Sequence, residues 1–266
     1  MKQLKKYGIF LLFAWPQWLM ANNIEVTMHY VGPTEGPAWL GVQQGIEEAN
    51  LQGGFLGQKY QIEVVAADEL DTTDISTALL LATDDDEFIM QVATADKYAA
   101  VPVINLVSES DALREACIAN LLHVIPSEQM RADALAQWQE RNPDKPVTVQ
   151  AWHEDFTKFA ASQLNNRFEK SQGEKMTDEA WAGWAGAKMV ADTVVQTMQY
   201  DAAFMLNHLK NDLVFDGQKG DNTNYRENGQ LRQILLLVDE QNKIVAEAPL
   251  RGVAGGLDSL GQVNCK

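Results

Sequence analysis

The stretch IEVTMHYVGPTEGPAWLGVQQGIEEANLQGGFLGQKYQIEVVAAD, residues 24–68, decides the fold of this chain of 266 residues. Its first seven residues alternate between apolar and polar side chains, the period-two pattern of a strand with one buried face. A glycine-proline turn ends that strand, a helix begins near Pro37, and Gly53-Gly54 ends the helix. A second strand follows over Tyr60–Ala66. The stretch therefore predicts one β-α-β unit with a right-handed crossover, the building block of a parallel α/β sheet.

Three further segments of the first half carry strand or helix patterns. The spacing of apolar residues predicts a short helix over Ile75–Ala82, a short strand over Phe88–Val92 and a fully buried strand over Val101–Val107. Residues 84–87 are Asp-Asp-Asp-Glu. Clustered carboxylates can hold a hard cation such as calcium, but this run lacks the spacing of a calcium-binding loop. We interpret it as a solvated turn and expect no metal site.

The second half predicts mainly helices, followed by a strand pair. Apolar residues at helical spacing predict a helix over Trp152–Lys170, a second helix capped by Thr177 and a third over about Ala202–Lys210. Leu231–Val238 and Lys243–Ala248 are predicted to be two strands joined by a turn. The aromatic residues of the helices are interpreted as core rather than as a cofactor site.

Residues 1–21 have the pattern of a secretory signal peptide. Three lysines precede an apolar run, and Leu19-Met20-Ala21 offers a cleavage site. The alternative is a membrane anchor, but the apolar run is shorter than the roughly 20 residues that a membrane span needs. We therefore expect export with the peptide cleaved.

Charge and motifs argue against several function classes. The formal net charge is −16, and a chain this acidic is a poor candidate for binding nucleic acid or anionic membrane surfaces. A basic protein or a cation would suit it better, and acidity that merely keeps an exported protein soluble is the simpler interpretation. The sequence lacks the nucleophile elbow, the phosphate-binding loop and the histidine spacing of metal sites. We expect no enzymatic activity and no cofactor.

A spaced pattern in the first stretch resembles the start of type I periplasmic binding proteins, the leucine/isoleucine/valine-binding class of transporter receptors. The pattern consists of Val31-Gly32-Pro33, Gly36-Pro37, Gly41, Gly45, Glu47-Glu48-Ala49-Asn50, Gly53-Gly54 and Leu56-Gly57. Later segments resemble the subgroup of this family that is linked to PQQ-dependent alcohol dehydrogenase systems. These segments are Asp111–Arg114, Ala119–His123, Ala132–Gln137, Ala151–His153, Gly229–Gln233 and Leu257–Gly261.

The resemblance implies a parallel sheet with helices on both faces and a periplasmic location. It also implies a solute-binding component of an ABC-type transport system tied to PQQ-dependent alcohol oxidation. The implied ligand is a small polar molecule, the implied partner is an ABC permease, and a membrane is contacted only through the transporter. Relatives carry most of a second α/β lobe where this chain has only the connector 139–151. We therefore predict essentially one lobe over 22–266, made of a first-lobe core 22–138, the connector and a returning segment 152–266.

The shortened connector leaves a second function open. Without a second lobe, half of the binding cleft would face solvent. The alternative is a periplasmic accessory protein outside transport, which docks to a redox protein through its acidic surface and traps no ligand.

Ligand contacts are expected at the carboxyl ends of the strands, where open α/β sheets bind their ligands. Tyr30 and Thr34 follow the first strand. The resemblance adds Thr94, Ser108 and Ser110, because in the family the loops after these strands supply hydroxyls and amides to the ligand. Hydroxyls at such positions equally serve as helix caps, and that interpretation stays open. The predicted site collects all five side chains at one edge of the sheet.

The two cysteines, Cys117 and Cys265, are predicted to form a disulfide. Export makes a disulfide chemically permissible, and an even count leaves no thiol over. Cys265 would otherwise end a tail with little apolar surface, and both positions look like cysteines of the resembling subgroup. The alternative, a buried free Cys117 and a loose Cys265, is not excluded by sequence alone.

Overall fold

The computed structural model describes residues 24–220 and 223–265, which form a five-stranded parallel sheet with helices on both faces and a three-stranded antiparallel sheet. The α/β fold predicted from the sequence is confirmed. The predicted signal peptide, residues 1–21, lies outside the described residues. Within the described part of the chain, no helix is both long enough and apolar enough to cross a membrane.

Strands and helices alternate along most of the chain. The strands are β1 (Ile24–Val31), β2 (Gln58–Val64), β3 (Leu79–Leu81), β4 (Val103–Asn105), β5 (Leu121–His123), β6 (Thr148–Gln150), β7 (Leu235–Val238) and β8 (Ile244–Ala248). The helices are α1 (Pro37–Gly53), α2 (Asp86–Thr94), α3 (Asp111–Glu115), α4 (Glu128–Arg141), α5 (Ala161–Gln172), α6 (Asp178–Thr197) and α7 (Ala202–Asn211).

The parallel sheet has the strand order β2-β1-β3-β4-β5. Tyr30 of β1 lies opposite Val64 of β2 on one side and Leu80 of β3 on the other. The chain leaves β1 through α1 to reach β2 on one side, and then crosses to β3 on the other side. The direction of winding therefore reverses between β1 and β3, and such a switch point leaves a crevice at the carboxyl ends of the strands.

The two faces of the sheet belong to two hydrophobic clusters. Because side chains alternate along a strand, Leu80 of β3 faces the cluster that contains α1 and α6, while Leu79 and Leu81 face the cluster that contains α2. All three leucines are fully buried. Burial on both faces explains why β3 is a continuous apolar run instead of an alternating one.

Helices α1 and α6 cross at a distance that only glycine permits. A Cβ atom added to Gly41 would lie 1.9 Å from the carbonyl oxygen of Ala180, and one added to Gly183 would lie 2.2 Å from that of Ala38. Glycine has no Cβ, so the two helix backbones are in direct van der Waals contact. This contact fixes the amino end of α6 beside the amino end of α1.

The C-terminal part of the chain returns to the parallel sheet and is fastened there. The amide of His123 donates to the carbonyl of Gly229 at 2.7 Å, and the amide of Leu231 donates to the carbonyl of His123 at 2.9 Å. Cys117 and Cys265 form a disulfide, as the sequence analysis predicted. The three-stranded sheet has the order β6-β7-β8 and packs against α4.

Two predicted elements of the first half are wrong. Ile75–Ala82, predicted as a helix, contains strand β3, because a short apolar run without clear periodicity fits either element. Phe88–Val92, predicted as a strand, lies inside helix α2. The carboxylate of Asp85 accepts a hydrogen bond from the amide of Phe88 at 3.0 Å and thereby caps that helix.

Other boundaries need correction. The helix predicted over Trp152–Lys170 begins only at Ala161, because residues 152–160 form a loop and a short 3-10 turn. The connector predicted at 139–151 begins inside α4 and contains β6, so irregular chain remains only at 142–147. The helix capped by Thr177, the third helix and the pairing of the two C-terminal strands are confirmed, but the strand predicted over Leu231–Val238 begins only at Leu235. The division into 22–138, 139–151 and 152–266 stays a prediction.

Candidate functional site

An open cavity of about 860 Å³ lies at the carboxyl ends of β1, β2 and β3. We call it the carboxyl-edge cavity. It occupies the switch point between β1 and β3, where open α/β sheets bind their ligands. Its apolar wall is formed by Tyr30, Trp39, Val65, Phe88 and Val107. The volume lies within the range of roughly 300–1,000 Å³ that is typical of small-molecule sites.

Tyr30 anchors the turn that forms one wall of this cavity. It is the seventh residue of β1, its side chain is fully buried, and its hydroxyl donates to the carbonyl of Pro33 at 2.8 Å. Its ring centroid lies 4.9 Å from that of Trp39 in α1. Burial raises the pKa of the Tyr30 hydroxyl, and the nearby carboxylate of Glu179 raises it further. The phenol is therefore a neutral structural group at physiological pH.

The charged side chains that line the cavity are all acidic. Among its described lining residues there are carboxylates and no lysine, arginine or histidine. The carboxylates are those of Glu35, Glu69, Asp84, Asp85 and Glu179. Burial raises the pKa of Glu179, and the carboxylates of Asp178, Glu109 and Asp84 raise it further. A cationic group placed here would relieve this repulsion.

Helix starts gather at the same edge. Helix α1 begins at Pro37, and α6 begins after Thr177, whose hydroxyl accepts from the amide of Ala180. Glu179 stands in the first turn of α6, where the partial positive charge of a helix N-terminus stabilises a carboxylate. The close crossing of α1 and α6 thus brings Glu179 to a cavity that is otherwise built by the first 107 residues.

A second cavity of about 520 Å³ adjoins the first and shares Pro37 and Glu179 with it. Asp178 shapes its floor, because its carboxylate accepts from the amides of Ala151 at 2.8 Å and Trp152 at 2.7 Å. His153 also lines it and is only 4% exposed.

The orientation of His153 leaves one ring nitrogen buried and unpaired among the described residues. Nδ1 accepts from the amide of Asp155 at 3.0 Å, so in the neutral ring Nε2 carries the proton. Nε2 has no hydrogen-bond partner among the described residues.

The structure brings only one of the five predicted site residues into the carboxyl-edge cavity. Tyr30 lines it, whereas Thr34, Thr94, Ser108 and Ser110 do not. Thr34 is exposed in the turn after β1. Ser108 and Ser110 do follow β4 at the same edge of the sheet, but the Ser108 hydroxyl donates to the carboxylate of Asp86.

The prediction for Thr94 needs a correction, because it assumed that Thr94 follows a strand. Thr94 is the last residue of α2, and its hydroxyl donates to the carbonyl of Met90 at 2.8 Å. Helix α2 leads from the carboxyl end of β3 back towards the start of β4, so Thr94 lies away from the carboxyl ends of the strands.

Two residues at this edge of the sheet were missed in the sequence: Glu179, which lines the cavity, and Arg114, which supports a neighbouring loop. Glu179 reaches the cavity only because α6 packs on α1, and its one local signal is its place two residues after the predicted cap Thr177. Arg114 is 2% exposed and supports the loop after β4: its guanidinium donates to the carbonyls of Ser108 at 2.8 Å and Ser110 at 2.9 Å. An arginine inside an ordinary helix pattern gives no sequence signal for such burial.

Known structures share this architecture. A branched-chain amino acid ABC transporter periplasmic ligand-binding protein from Burkholderia xenovorans aligns with a TM-score of 0.69 at 10% identity, covering 88% of this chain and 96% of its own. An amino acid ABC transporter substrate-binding protein from Pseudomonas fluorescens gives 0.67 at 11% identity, covering 91% and 95%. A solute-binding protein from R. palustris, in complex with benzoate, gives 0.61 at 10% identity, covering 90% and 98%.

Sequence comparison adds nothing to this: no family model and no curated protein matches the chain. Identities near 10% show the fold alone. The described chain has the fold of type I periplasmic binding proteins.

Proposed function

We propose that this protein is a periplasmic solute-binding protein that delivers a small polar ligand to an ABC permease. The observation that carries the proposal is the carboxyl-edge cavity, which lies at the switch point of the sheet and has the size of a ligand site. The shared fold with transporter receptors supports it. In this proposal the protein has no enzymatic role and contacts the membrane only through its transporter.

The charge of the cavity supports a narrower ligand class. Five carboxylates line the cavity together with the partly exposed rings of Trp39 and Phe88, and no described lining residue is basic. A ligand with an ammonium group would be attracted by the carboxylates and by the faces of the aromatic rings. An amino-acid-like molecule or another small amine fits this description.

Two finer parts of the proposal rest on the sequence resemblance. The segments similar to one subgroup of type I periplasmic binding proteins support a link to PQQ-dependent alcohol oxidation. The shortened chain between α4 and β6 supports a protein that is essentially one lobe.

The test is isothermal titration calorimetry on the mature protein with amino acids, alkylamines, PQQ, calcium and a lanthanide ion. We expect one amine-bearing ligand to bind saturably. Glu179→Gln should weaken that binding about tenfold, since a charged hydrogen bond is lost from a partly desolvated site. Glu240→Gln, in the exposed turn between β7 and β8, is the matched control and should bind as the wild type does.

No heat of binding from any member of the panel would contradict the receptor proposal. It would favour the accessory protein that docks to a basic redox partner. Equal binding by wild type and Glu179→Gln would keep the receptor but move the ligand out of the carboxyl-edge cavity.

A further inference from the structure

A third cavity, of about 760 Å³, lies on the three-stranded sheet and shares no lining residue with the two cavities described above. It is bounded by the end of α4, residues 155–158, strand β8 and residues 249–251. Because Arg141, Lys158 and Arg251 line it, we call it the basic cavity.

Three cations in one concavity are unexpected in a chain with a net charge of −16. Lys158 is neutralised in part, because its Nζ lies 2.6 Å from a carboxylate oxygen of Glu247. Arg141 and Arg251 form no ion pair with any carboxylate among residues 24–220 and 223–265. Asp155 is the other acidic lining residue. Two guanidinium groups are therefore available at the mouth of this cavity.

A hydrogen bond from the Arg141 side chain to the Arg251 backbone joins these two residues. Nη1 of Arg141 donates to the carbonyl of Arg251 at 3.0 Å, which joins the end of α4 to the turn after β8. One donor of Arg141 is used in this way, and the remaining N–H groups of its planar fork stay free to bind an oxyanion. Both residues are solvent-exposed, so a ligand can reach them without opening the fold.

The wall beneath the cations is apolar and partly aromatic. Val245 is 42% exposed and Ile244 is partly exposed, so β8 supplies accessible apolar surface. Trp138 at 9% and Phe156 at 2% border the cavity and are largely covered. The indole Nε1 of Trp138 donates to the carbonyl of Lys145 at 2.7 Å, so the polar atom of this side chain is already satisfied. What the side chain offers to the cavity is therefore ring surface.

We propose that the basic cavity is a second ligand site, specific for organic anions that combine carboxylate groups with a flat apolar body. Guanidinium forks recognise carboxylates in bidentate geometry, and the apolar wall formed by β8 would cover the apolar part of the ligand. The charge preference is opposite to that of the carboxyl-edge cavity. The inference does not depend on the proposed transport function, because it involves none of the same residues.

The experiment uses isophthalate, an aromatic dicarboxylate, as the probe and its neutral diamide as the matched control ligand. Calorimetric titration of the full protein should show saturable binding of isophthalate and none of the diamide. The double variant Arg141→Gln/Arg251→Gln should weaken isophthalate binding at least about tenfold. Lys170→Gln removes an exposed cation from α5 and should leave the affinity unchanged. Raising the ionic strength should weaken the wild-type affinity.

Three results would overturn the proposal. They are the absence of saturable isophthalate binding, equal binding of the diamide, and equal binding by the double variant and the wild type. Circular dichroism and the unfolding midpoint of the double variant show whether its fold is intact; Arg141→Lys provides a milder replacement that keeps the charge and should retain part of the affinity. Amine binding in the carboxyl-edge cavity should be the same in all these variants, so failure here and failure of the transport proposal give different results.

Discussion

The hydroxyl of Ser108 donates a hydrogen bond to Oδ1 of Asp86 at 2.6 Å. This contact joins the loop after β4 to the first turn of α2. It gives structural roles to Ser108, which the sequence analysis placed in the ligand site, and to Asp86 of the acidic run 84–87, which it interpreted as a solvated turn. The Ser108 and Asp86 side chains thus stabilise the carboxyl edge of the sheet, and this role requires no contact with a ligand.

Ser108→Ala should lower the free energy of unfolding by about 1–3 kcal/mol, because a nearly buried hydrogen bond to a carboxylate is removed. Urea denaturation measures this change. Ser171→Ala is the matched control, since Ser171 also donates to a carboxylate, that of Glu47 at 2.7 Å, but on the exposed surface. The control should lose less than about 0.5 kcal/mol. Equal losses in the two variants would show that burial adds nothing to the Ser108 contact.

Arg114→Met should lower the free energy of unfolding by about 3 kcal/mol or more, since each buried acceptor left without a donor costs about 1–3 kcal/mol. The guanidinium also donates to the side chain of Gln230 and the carbonyl of Ile125, both at 2.9 Å, so its removal leaves several buried acceptors without a donor. Arg167→Met is the comparison, because Arg167 is 43% exposed and pairs with Glu48. The Arg167→Met variant should lose less than about 1 kcal/mol of unfolding free energy. Chemical denaturation of both variants checks the difference, and an Arg114 variant as stable as the wild type would contradict it.

The parallel sheet could be predicted in outline, because the first β-α-β unit has clear periodicity and strong turn residues. The later strands could be predicted only in part: the strand predicted over Val101–Val107 contains β4, but β3 was predicted as a helix and β5 was not predicted. All three have three residues each and are buried, so they lack the alternation that separates strand from helix. The site was predicted less well than the fold. Ser108 and Thr94 are held by hydrogen bonds within or to α2, and Glu179 reaches the cavity only through the packing of α6 on α1, a contact between residues more than 130 positions apart.

Replacing both cysteines by serine should lower the free energy of unfolding by roughly 5 kcal/mol in the chain-entropy model, because the bridge joins residues 148 positions apart. Thermal unfolding of Cys117→Ser/Cys265→Ser against the wild type tests this. Mass spectrometry of the unreduced wild type should show the loss of two hydrogens and one cross-linked peptide pair. Two freely alkylated thiols in protein purified from the periplasm would contradict the bridge.

His123 should make the protein less stable as the pH falls. Its ring is fully buried, and burial, aided by the charge of Arg114, lowers its pKa well below the usual value of 6.5. Below about pH 6.5 the unfolded chain binds a proton that the folded chain does not. The free energy of unfolding therefore becomes smaller as the pH falls. Between pH 6.5 and 5.5 the expected loss from this group is about 1 kcal/mol. Urea titrations at both pH values should show a smaller decrease for His123→Gln, and an identical decrease would contradict this account.

Gly183→Ala should lower the free energy of unfolding by at least about 2 kcal/mol, since the new methyl group meets the carbonyl of Ala38 and the helices must separate. Gly54→Ala is the control: this residue has φ −56°, and an added Cβ would lie 3.3 Å from its nearest neighbour. Denaturation curves should show a much smaller loss for the control. If Gly183→Ala matched it, the close crossing of α1 and α6 would not be a constraint on the sequence.

The two edges of the parallel sheet have unequal exposure to other chains. The segment that returns at Gly229–Leu231 occupies the backbone groups of His123 at the β5 edge. At the β2 edge no further strand follows within the described residues, but Lys59 and Glu63 place charges along it. Charged side chains on an edge discourage strand addition and the aggregation that follows from it. The returning segment therefore protects solubility as well as the fold: if it came loose, the sheet would present a second edge, formed by the uncharged residues of β5, to a neighbouring molecule.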